Sequence, residues 1–223
     1  MNGQFLPLQG SATSATTGVA AYLHFPHAKS VKNDHAEDSA LVEAALGDLD
    51  KFESLVEKYE APLLRYILRI SNLNTADAED VLQEVFLNSW TNLNGYRSDL
   101  PFKSWIYRIT HNVTISTIRK HKSRGMDTSV ELDESLYDCI PSKELGLDEN
   151  LDRKQLANRA RSTLQSMPIQ YREVLILKYF DNLNYESISD ILRKPEGTVA
   201  TLLHRAKKMF SEHWKRNISH QLA

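Results

Sequence analysis

The sequence lacks the residues that define several protein classes. Its 223 residues include one cysteine, so neither an intrachain disulfide framework nor a four-cysteine zinc site can form. Seven prolines and eight glycines are too few for a collagen-like or Gly-rich chain. No apolar run approaches about eighteen residues, and the opening MNGQFLPLQG lacks the basic and apolar regions of a secretory signal. These absences predict a globular cytoplasmic protein without a membrane span.

Catalytic motifs are also missing. The sequence contains no Gly-rich phosphate loop and no GxSxG, HExxH or CxxC motif. The paired carboxylates Glu79 and Asp80 lie near a predicted helix start, where interaction with the helix dipole explains them. Two histidines in HFPH, at 24–27, have no third ligand nearby. We therefore expect no enzymatic activity, no metal site and no other cofactor.

Charge is distributed unevenly along the chain, although the net charge is only −2. Leu100–Arg124 holds six basic residues and no acidic ones, whereas Gly125–Asp152 holds nine acidic residues and one basic. From Arg153 to the end there are thirteen basic and six acidic residues. Two basic blocks around an acidic one indicate two surfaces that bind a polyanion, joined by an acidic segment that the polyanion repels. Ordinary solvated helix faces are the alternative interpretation.

Hydrophobic spacing predicts an all-α fold with two small helical domains. Amphipathic helices fill 38–122 and 150–216, and the acidic block between them, at 123–149, predicts a flexible linker. The Ser-, Ala- and Thr-rich residues 1–37 predict a disordered N-terminal tail, and 217–223 a C-terminal tail. Within the first domain, Trp105 falls on the inward stripe of its helix and is expected in the core.

Two short helices near the C-terminus have the pattern of a helix-turn-helix. A short connection, 193–197, separates them, and basic residues flank the second helix. The predicted inner faces are formed by Ile188, Ile191, Leu192, Val199, Leu203 and Ala206. Such a second helix fits a DNA major groove, while the basic residues neutralise phosphates. An ordinary helical hairpin with a basic exposed face is the alternative.

Three stretches carry a resemblance to a known family. They are AEDVLQEVFLNSW at Ala78–Trp90, FKSWIYRITHNVTISTIRK at Phe102–Lys120, and the segment Leu164–Phe210 with its GTVATLLHRA. In this order, and with a variable linker between them, they resemble the extracytoplasmic-function (ECF) group of bacterial RNA polymerase sigma factors.

The resemblance implies an alternative sigma factor that directs promoter-specific transcription initiation. Domain 2, here 38–122, would bind the clamp coiled coil of the polymerase β′ subunit and read the −10 element as a single strand. Domain 4, here 150–216, would bind the β flap and read the −35 element as a duplex. The resemblance also implies an anti-sigma partner, and a cytoplasmic location at the nucleoid when polymerase is bound.

The family motifs map onto individual residues of this chain. The implied polymerase contacts are Asp80, Gln83 and Glu84. The implied −10 contacts are Tyr96, Arg97, Lys103, Tyr107, Arg108, His111, Asn112 and Arg119. The implied −35 contacts are Arg193, Lys194, Thr198, Thr201, Leu202, His204, Arg205 and Lys208.

The recognition helix departs from the family pattern. Ala200, Thr201 and Leu202 stand where relatives usually carry basic or polar residues, and Arg193 stands where a glycine is usual. Leu202 is expected to contact a thymine methyl group or to pack on a protein partner. Two other functions stay open at this point: a helix-turn-helix regulator that does not join the polymerase, and a sigma-like protein that acts mainly through protein contacts.

Overall fold

The computed structural model describes residues 31–97, 100–125 and 157–219, with side chains described from His35 to Arg216. All secondary structure in these segments is helical, which confirms the all-α prediction. The helices are α1 (Val31–Ala45), α2 (Leu49–Ile70), α3 (Thr75–Thr91), α4 (Phe102–Ser123), α5 (157–165), α6 (Ile169–Leu175), α7 (Tyr185–Leu192) and α8 (Glu196–Ser219). A 3-10 turn spans Leu93–Gly95, and a π-helical segment, Ile176–Phe180, directly follows α6.

Two predicted boundaries differ from the helices that form. α1 begins at Val31, before the predicted end of the N-terminal tail at residue 37, and α8 continues to Ser219, beyond the predicted domain end at 216. Other predictions lie outside the described residues: the rest of the N-terminal tail with its HFPH motif, residues 126–149 of the predicted acidic linker, and the last four residues of the C-terminal tail.

The first unit, α1 to α4, is organised around α2. This helix turns one face inward, and Pro62 lies inside it without ending it. The buried face consists of Phe52, Leu55, Tyr59, Leu63, Tyr66, Ile67 and Ile70. The next helix starts at a side-chain cap, because the Asn74 Oδ1 accepts a hydrogen bond from the Asp77 backbone N–H at 2.8 Å. Trp105 of α4 is 8% exposed, so its predicted place in the core is confirmed.

α1 is attached to α2 by polar contacts that hydrophobic periodicity does not reveal. The Asp38 carboxylate is buried and accepts a hydrogen bond from the Tyr59 hydroxyl. The Lys58 ammonium bridges two acids of α1, at 2.8 Å from Asp38 and 3.0 Å from Glu37. A buried carboxylate is tolerated when it is paired and hydrogen-bonded in this way. This cluster explains why the helix extends into the predicted tail.

The second unit, α5 to α8, contains the predicted helix-turn-helix. All six predicted inner-face residues of α7 and α8 are buried. The Asn184 Oδ1 accepts a hydrogen bond from the Ser187 N–H at 2.7 Å and starts α7. In the turn, the Ser189 hydroxyl donates to the Lys194 carbonyl at 2.6 Å, and Arg193 adopts a left-handed backbone with φ of 51°. Position 193, where the resemblance to the ECF group implies a glycine, therefore has a backbone conformation that glycine adopts without strain.

The two units pack directly against each other, which the sequence did not predict. α4 lies on α7, and the C-terminal end of α2 lies on α6 and the π-helical segment. Across this interface the Tyr107 hydroxyl donates a hydrogen bond to the Asp181 carboxylate at 3.1 Å. The Arg172 guanidinium donates to the Ile70 carbonyl at 2.9 Å. Because Ile70 ends α2, this bond satisfies a carbonyl at the negative end of the helix dipole.

The interface between the units buries ionisable groups. Burial raises the pKa of Glu173 to about 7, although Lys194 opposes the shift. Burial also raises the pKa of Asp181 to about 6, against the charges of Arg69, Lys103 and Arg65 and the hydrogen bond from Tyr107. The charged form of either carboxyl loses solvation there, so the packed structure favours the protonated acid.

The left-handed turn generates the first prediction. A non-glycine residue in this conformation costs about 1 kcal/mol, so Arg193→Gly should raise the free energy of unfolding by about that amount. Arg193→Ala removes the same guanidinium but keeps the Cβ, and should leave stability close to that of the parent. Urea denaturation followed by circular dichroism measures both variants. A glycine variant no more stable than the alanine variant would contradict the backbone explanation.

The raised carboxyl pKa values generate the second prediction. Because the folded form holds its protons more tightly, the stabilisation is complete below the ordinary pKa of about 4.5 and is lost as the pH rises through 7. Glu173→Gln mimics the protonated acid. Its free energy of unfolding should match the parent at pH 4.5 and exceed it at pH 8 by roughly 1–3 kcal/mol.

The measurement is urea denaturation of the parent, Glu173→Gln and Glu186→Gln between pH 4.5 and 8. Glu186 is exposed on α7, so its variant controls for the loss of one carboxyl from the second unit. Parallel stability curves for the parent and Glu173→Gln would contradict the prediction.

Candidate nucleic-acid and partner interfaces

A polar stripe runs along the solvent side of α3. Its predicted contact residues Asp80, Gln83 and Glu84 are all exposed, while Val81 and Val85 on the other side are buried. Leu87 continues the stripe and is 66% exposed. Carboxylate and amide groups on a rigid helix can form charge-assisted hydrogen bonds with Arg or Lys of a partner. We call residues 80, 83, 84 and 87 the α3 stripe.

Leu87 was not among the predicted polymerase contacts. Its spacing of three and four residues from Glu84 and Gln83 places it on the same helix face, and this signal was available in the sequence. An apolar side chain beside the acids adds surface that a partner can bury, at about 25 cal/mol per Å².

The predicted −10 residues of α4 lie on two different sides of the helix. Lys103, Tyr107 and His111 are spaced four residues apart, and the first two hydrogen-bond to Asp181 of the second unit. Tyr107 is only 1% exposed. Arg108 is half-buried, whereas Asn112 and Arg119 are exposed. The packed structure therefore leaves only part of the predicted strand-binding surface in contact with solvent.

His111 illustrates the environment of the covered side of α4. Its Nδ1 lies 3.1 Å from the hydroxyl of Tyr66, which is fully buried on α2. Burial, together with the positive charges of Lys194 and Arg119, lowers the pKa of His111 to about 4. The imidazole is therefore neutral near pH 7 and contributes no charge toward phosphate in this arrangement.

The loop before α4 is held in place by Tyr96. The Tyr96 hydroxyl donates a hydrogen bond to the Leu100 carbonyl at 2.6 Å. Its ring packs edge-on against Phe102 and Trp105, with centroid distances of 5.4 and 5.6 Å. Arg97 is exposed beside it. The residues between them and Leu100, at 98–99, lie outside the described residues.

The outer face of the helix-turn-helix is accessible. The exposed predicted −35 residues are Arg193, Thr198, Thr201, His204, Arg205 and Lys208. Lys194 is half-buried, and Lys207, which the prediction did not include, is exposed with its ammonium 5.3 Å from the Tyr179 ring centroid. An exposed basic helix of this kind fits a major groove about 12 Å wide.

Two of the unusual recognition-helix residues have contacts within the second unit. The Thr201 hydroxyl donates a hydrogen bond to the Gly197 carbonyl at 2.9 Å. Leu202 is half-buried and packs against the hydrophobic core. Because Leu202 already has apolar neighbours, contact with DNA or a partner is available only to its outer part.

The described residues form no metal site and no membrane span. Across 31–97, 100–125 and 157–219 there is no group of three or more His, Cys, Asp or Glu residues arranged to hold a metal ion. None of the helices in the described residues is long and apolar enough to span a membrane.

Comparisons with known proteins find two family models that match this chain. The family model described as Sigma-70 region 2 matches residues 55–124, and the one described as Sigma-70, region 4 matches residues 157–210. The first contains the α3 stripe and all of α4, and the second contains α7 and α8 as far as residue 210.

Curated relatives match both units together. The ECF RNA polymerase sigma factor SigW of Bacillus subtilis is 33% identical over 165 residues, covering 73% of this chain and 88% of that protein. The RNA polymerase sigma-H factor of Pseudomonas aeruginosa is 32% identical, covering 77% of this chain and 91% of that protein.

Solved structures share the fold. CnrH, solved in complex with the cytosolic domain of CnrY, aligns with a TM-score of 0.56 at 22% identity, over 80% of this chain and 95% of that chain. The sigma factor RpoE of Bartonella quintana, solved with the anti-sigma factor NepR, aligns with a TM-score of 0.58 at 20% identity, over 74% and 96%. Taken with the two family regions and the curated relatives, the chain belongs to the ECF RNA polymerase sigma factors.

Proposed function

We propose that this chain is an alternative sigma factor, which binds core RNA polymerase and directs transcription initiation at a particular set of promoters. The observation that carries the proposal is the presence, in one chain, of both sigma regions, with an exposed acidic stripe in the first and an exposed basic helix in the second. The chain supplies recognition, and the polymerase supplies the chemistry, so no catalytic residue or cofactor is assigned.

The α3 stripe is proposed as the contact with the clamp coiled coil of the β′ subunit. Asp80, Gln83 and Glu84 project from a helix whose start is fixed by the Asn74 cap and whose inner side is locked in the core. A rigid support of this kind lowers the entropy lost on binding. The second unit, at 157–219, is proposed to contact the β flap in the same complex.

The −10 element is proposed to bind α4 and the preceding loop as a single strand. Arg108, Asn112 and Arg119 supply polar and basic groups on the accessible part of α4, and Tyr96 and Arg97 supply an aromatic ring and a positive charge from the loop before it. Single strands bind through a basic groove and stacking on aromatic rings. Lys103, Tyr107 and His111 belong to the same proposed surface, but they are reached only after α4 separates from the second unit.

The −35 element is proposed to bind α8 as a duplex. Thr198, Thr201, His204 and Arg205 lie toward its N-terminal part, where recognition helices contact base edges. Arg193, Lys194 and Lys208 are placed to contact phosphates, and the outer part of Leu202 to contact a thymine methyl group.

A second function is favoured by one specific observation. Ala200, Thr201 and Leu202 provide no positive charge where the family usually has it, which favours a sigma-like protein acting mainly through protein contacts. A helix-turn-helix regulator that does not join the polymerase is the further alternative. Promoter-dependent RNA synthesis in the presence of the chain distinguishes a sigma factor from both of these alternatives.

The chain is further proposed to act in the cytoplasm, at the nucleoid when bound to polymerase, and to have an anti-sigma partner. The support for such a partner is that both solved neighbours described above are complexes with a second protein, one of which is named as an anti-sigma factor. A partner covering the α3 stripe would prevent polymerase binding.

Run-off transcription tests the proposal most directly. Core polymerase is incubated with a pool of promoters, with and without the chain, and the RNA products are sequenced. The parent should yield promoter-specific transcripts. Glu84→Lys should abolish both those transcripts and co-purification with core polymerase, because it puts a positive charge at the centre of the α3 stripe and cancels the stripe's net negative charge. Glu60→Lys makes the same charge change at an exposed position on α2 and should behave like the parent.

Circular dichroism of both variants establishes that they are folded. Normal co-purification of Glu84→Lys with polymerase would remove the assignment of the α3 stripe. An absence of chain-dependent transcripts, with polymerase binding intact, would favour action through protein contacts alone.

The recognition helix generates a separate prediction on DNA affinity. Ala200→Lys combined with Thr201→Arg adds two positive charges at exposed positions of α8. Binding to duplex DNA should tighten, and the slope of log K against log salt should steepen by about two units, at ~0.9 per phosphate contact.

Ser162→Lys combined with Gln170→Arg is the matched control, because it adds the same charge at exposed positions of α5 and α6. Fluorescence anisotropy between low and moderate salt measures both slopes. Equal slopes for the two double variants would show that α8 does not face the DNA backbone.

A further inference from the structure

We propose that a cavity at the junction of α2, α4 and α6 binds a small organic phosphate of nucleotide size. Its phosphate groups lie against basic side chains of the cavity, and its uncharged part lies against isoleucines. Among the described residues that line this cavity, only Arg119 belongs to a proposed DNA contact. The proposed site therefore differs from the α3 stripe and from the DNA-binding face of α8.

The cavity is enclosed by three parts of the chain. The last two turns of α4, the connection at 71–73 that follows α2, and the start of α6 form its walls. Its volume is about 580 Å³, which lies in the range of pockets that hold small organic ligands. Because α6 belongs to the second unit and the other two walls to the first, a bound ligand would contact both units.

The charged groups of the cavity are all of one sign. Its lining includes Arg119, His121 and Lys122 of α4 and Arg172 of α6, and none of the described residues that line it is acidic. Three of these four side chains carry a positive charge at neutral pH in their ordinary ionisation state. Positive charges that converge on a cavity with partly apolar walls attract an anion more strongly than charges on an open surface do.

Arg172 is a buried cation without a negative partner. The residue is 9% exposed, and its two terminal nitrogens donate only to backbone carbonyls. Its Nε is buried, and no hydrogen-bond acceptor among the described residues reaches it. Burial lowers the pKa of Arg172, and no carboxylate in the described segments counteracts that effect. Since a buried charge is costly without an opposite charge, a phosphate at this position would supply what Arg172 lacks.

His121 provides a second unsatisfied polar atom in the same cavity. Its Nδ1 is buried, and within the described part of the chain it has no hydrogen-bond partner. Buried polar atoms are nearly always paired, so two unpaired nitrogens from two different helices of one cavity indicate a missing acceptor. A phosphate group has several acceptor oxygens and can accept hydrogen bonds from both helices at once.

The end of α2 does not oppose an anion at this place. Carbonyls at the C-terminus of a helix carry partial negative charge, but here they already accept hydrogen bonds. The Ile67 carbonyl accepts from the Ser71 N–H at 3.0 Å and from the Ser71 hydroxyl at 2.6 Å. The Ile70 carbonyl accepts from Arg172 at 2.9 Å. The positive side chains therefore dominate the electrostatic potential of the cavity.

The apolar part of the lining determines the class of phosphate. Ile115 and Ile118 of α4 and Ile169 of α6 line the cavity together with the basic residues, and all three are only partly buried. An inorganic phosphate would leave these side chains in contact with water. An organic phosphate with a flat ring, such as a nucleotide, would bury them, at about 25 cal/mol per Å² of apolar surface. We therefore choose ATP as the probe.

The decisive variants change the charge and the volume of the cavity separately. Lys122→Glu reverses a charge in the lining, and Lys120→Glu is its matched control, because Lys120 is exposed at the same end of α4 but does not line the cavity. Ile118→Trp keeps every charge and fills part of the cavity with a larger ring. Arg172 is left unchanged, because its bond to the Ile70 carbonyl supports the fold.

Isothermal titration calorimetry of the full chain measures the binding of ATP without magnesium, of inorganic triphosphate and of adenosine. Circular dichroism establishes that each variant is folded. It also measures the midpoint of thermal unfolding, which ATP should raise for the parent because a ligand that binds only the folded chain stabilises it.

The parent should bind ATP at least tenfold more tightly than it binds either inorganic triphosphate or adenosine. Lys122→Glu should bind ATP at least tenfold more weakly than Lys120→Glu does, and Ile118→Trp at least tenfold more weakly than the parent. Equal ATP affinities for the two glutamate variants would show attraction to overall charge and overturn the proposal, as would an absence of binding by the parent. Triphosphate binding as tight as ATP binding would overturn the assigned ligand class.

The test does not depend on the sigma function. It uses the chain without polymerase or promoter, and Lys120, Lys122 and Ile118 are not among the proposed polymerase or DNA contacts. If ATP binding fails while the parent drives run-off transcription, the cavity proposal is wrong and the sigma function stands. If ATP binds as expected and no chain-dependent transcript forms, the sigma function fails and the cavity proposal stands.

Discussion

The hydrogen bond between Tyr107 and Asp181 sits where the two halves of the molecule meet, and the arrangement of the binding surfaces depends on it. A carboxylate in this position is costly, because burial raises its pKa to about 6 despite three nearby positive side chains. The cost is offset by bonds from Tyr107 and Lys103 and by the anchoring of Arg172 on the end of α2. Tyr107 and Lys103, which make these bonds, are also among the residues proposed to contact the −10 element.

The three proposed binding surfaces differ in how far solvent and partners can reach them. The α3 stripe and the outer face of α8 are open to partners, whereas one side of α4 is covered. Glu173, with a pKa raised to about 7 in the same interface, makes the stability of the packed form sensitive to pH near neutrality.

Local features of the fold could be predicted from the sequence, because they depend on residues close together in the chain. The inner faces of α7 and α8 follow from apolar spacing. The contact between the units could not be predicted, since Tyr107 and Asp181 are 74 residues apart and each alone fits an exposed role. The start of α1 was predicted too late in the chain for a similar reason, because Glu37 and Asp38 are held by Lys58 and Tyr59 of another helix.

The central claim concerns the distance between the two units in the intact chain. Spin labels on Glu60→Cys of α2 and Glu212→Cys of α8, with Cys139→Ser to leave two thiols, report this distance by pulsed electron paramagnetic resonance. The account predicts one narrow, short distance in the free chain, and a longer one when core polymerase and promoter DNA are added. A broad or long distribution in the free chain, unchanged by polymerase and promoter, would contradict it.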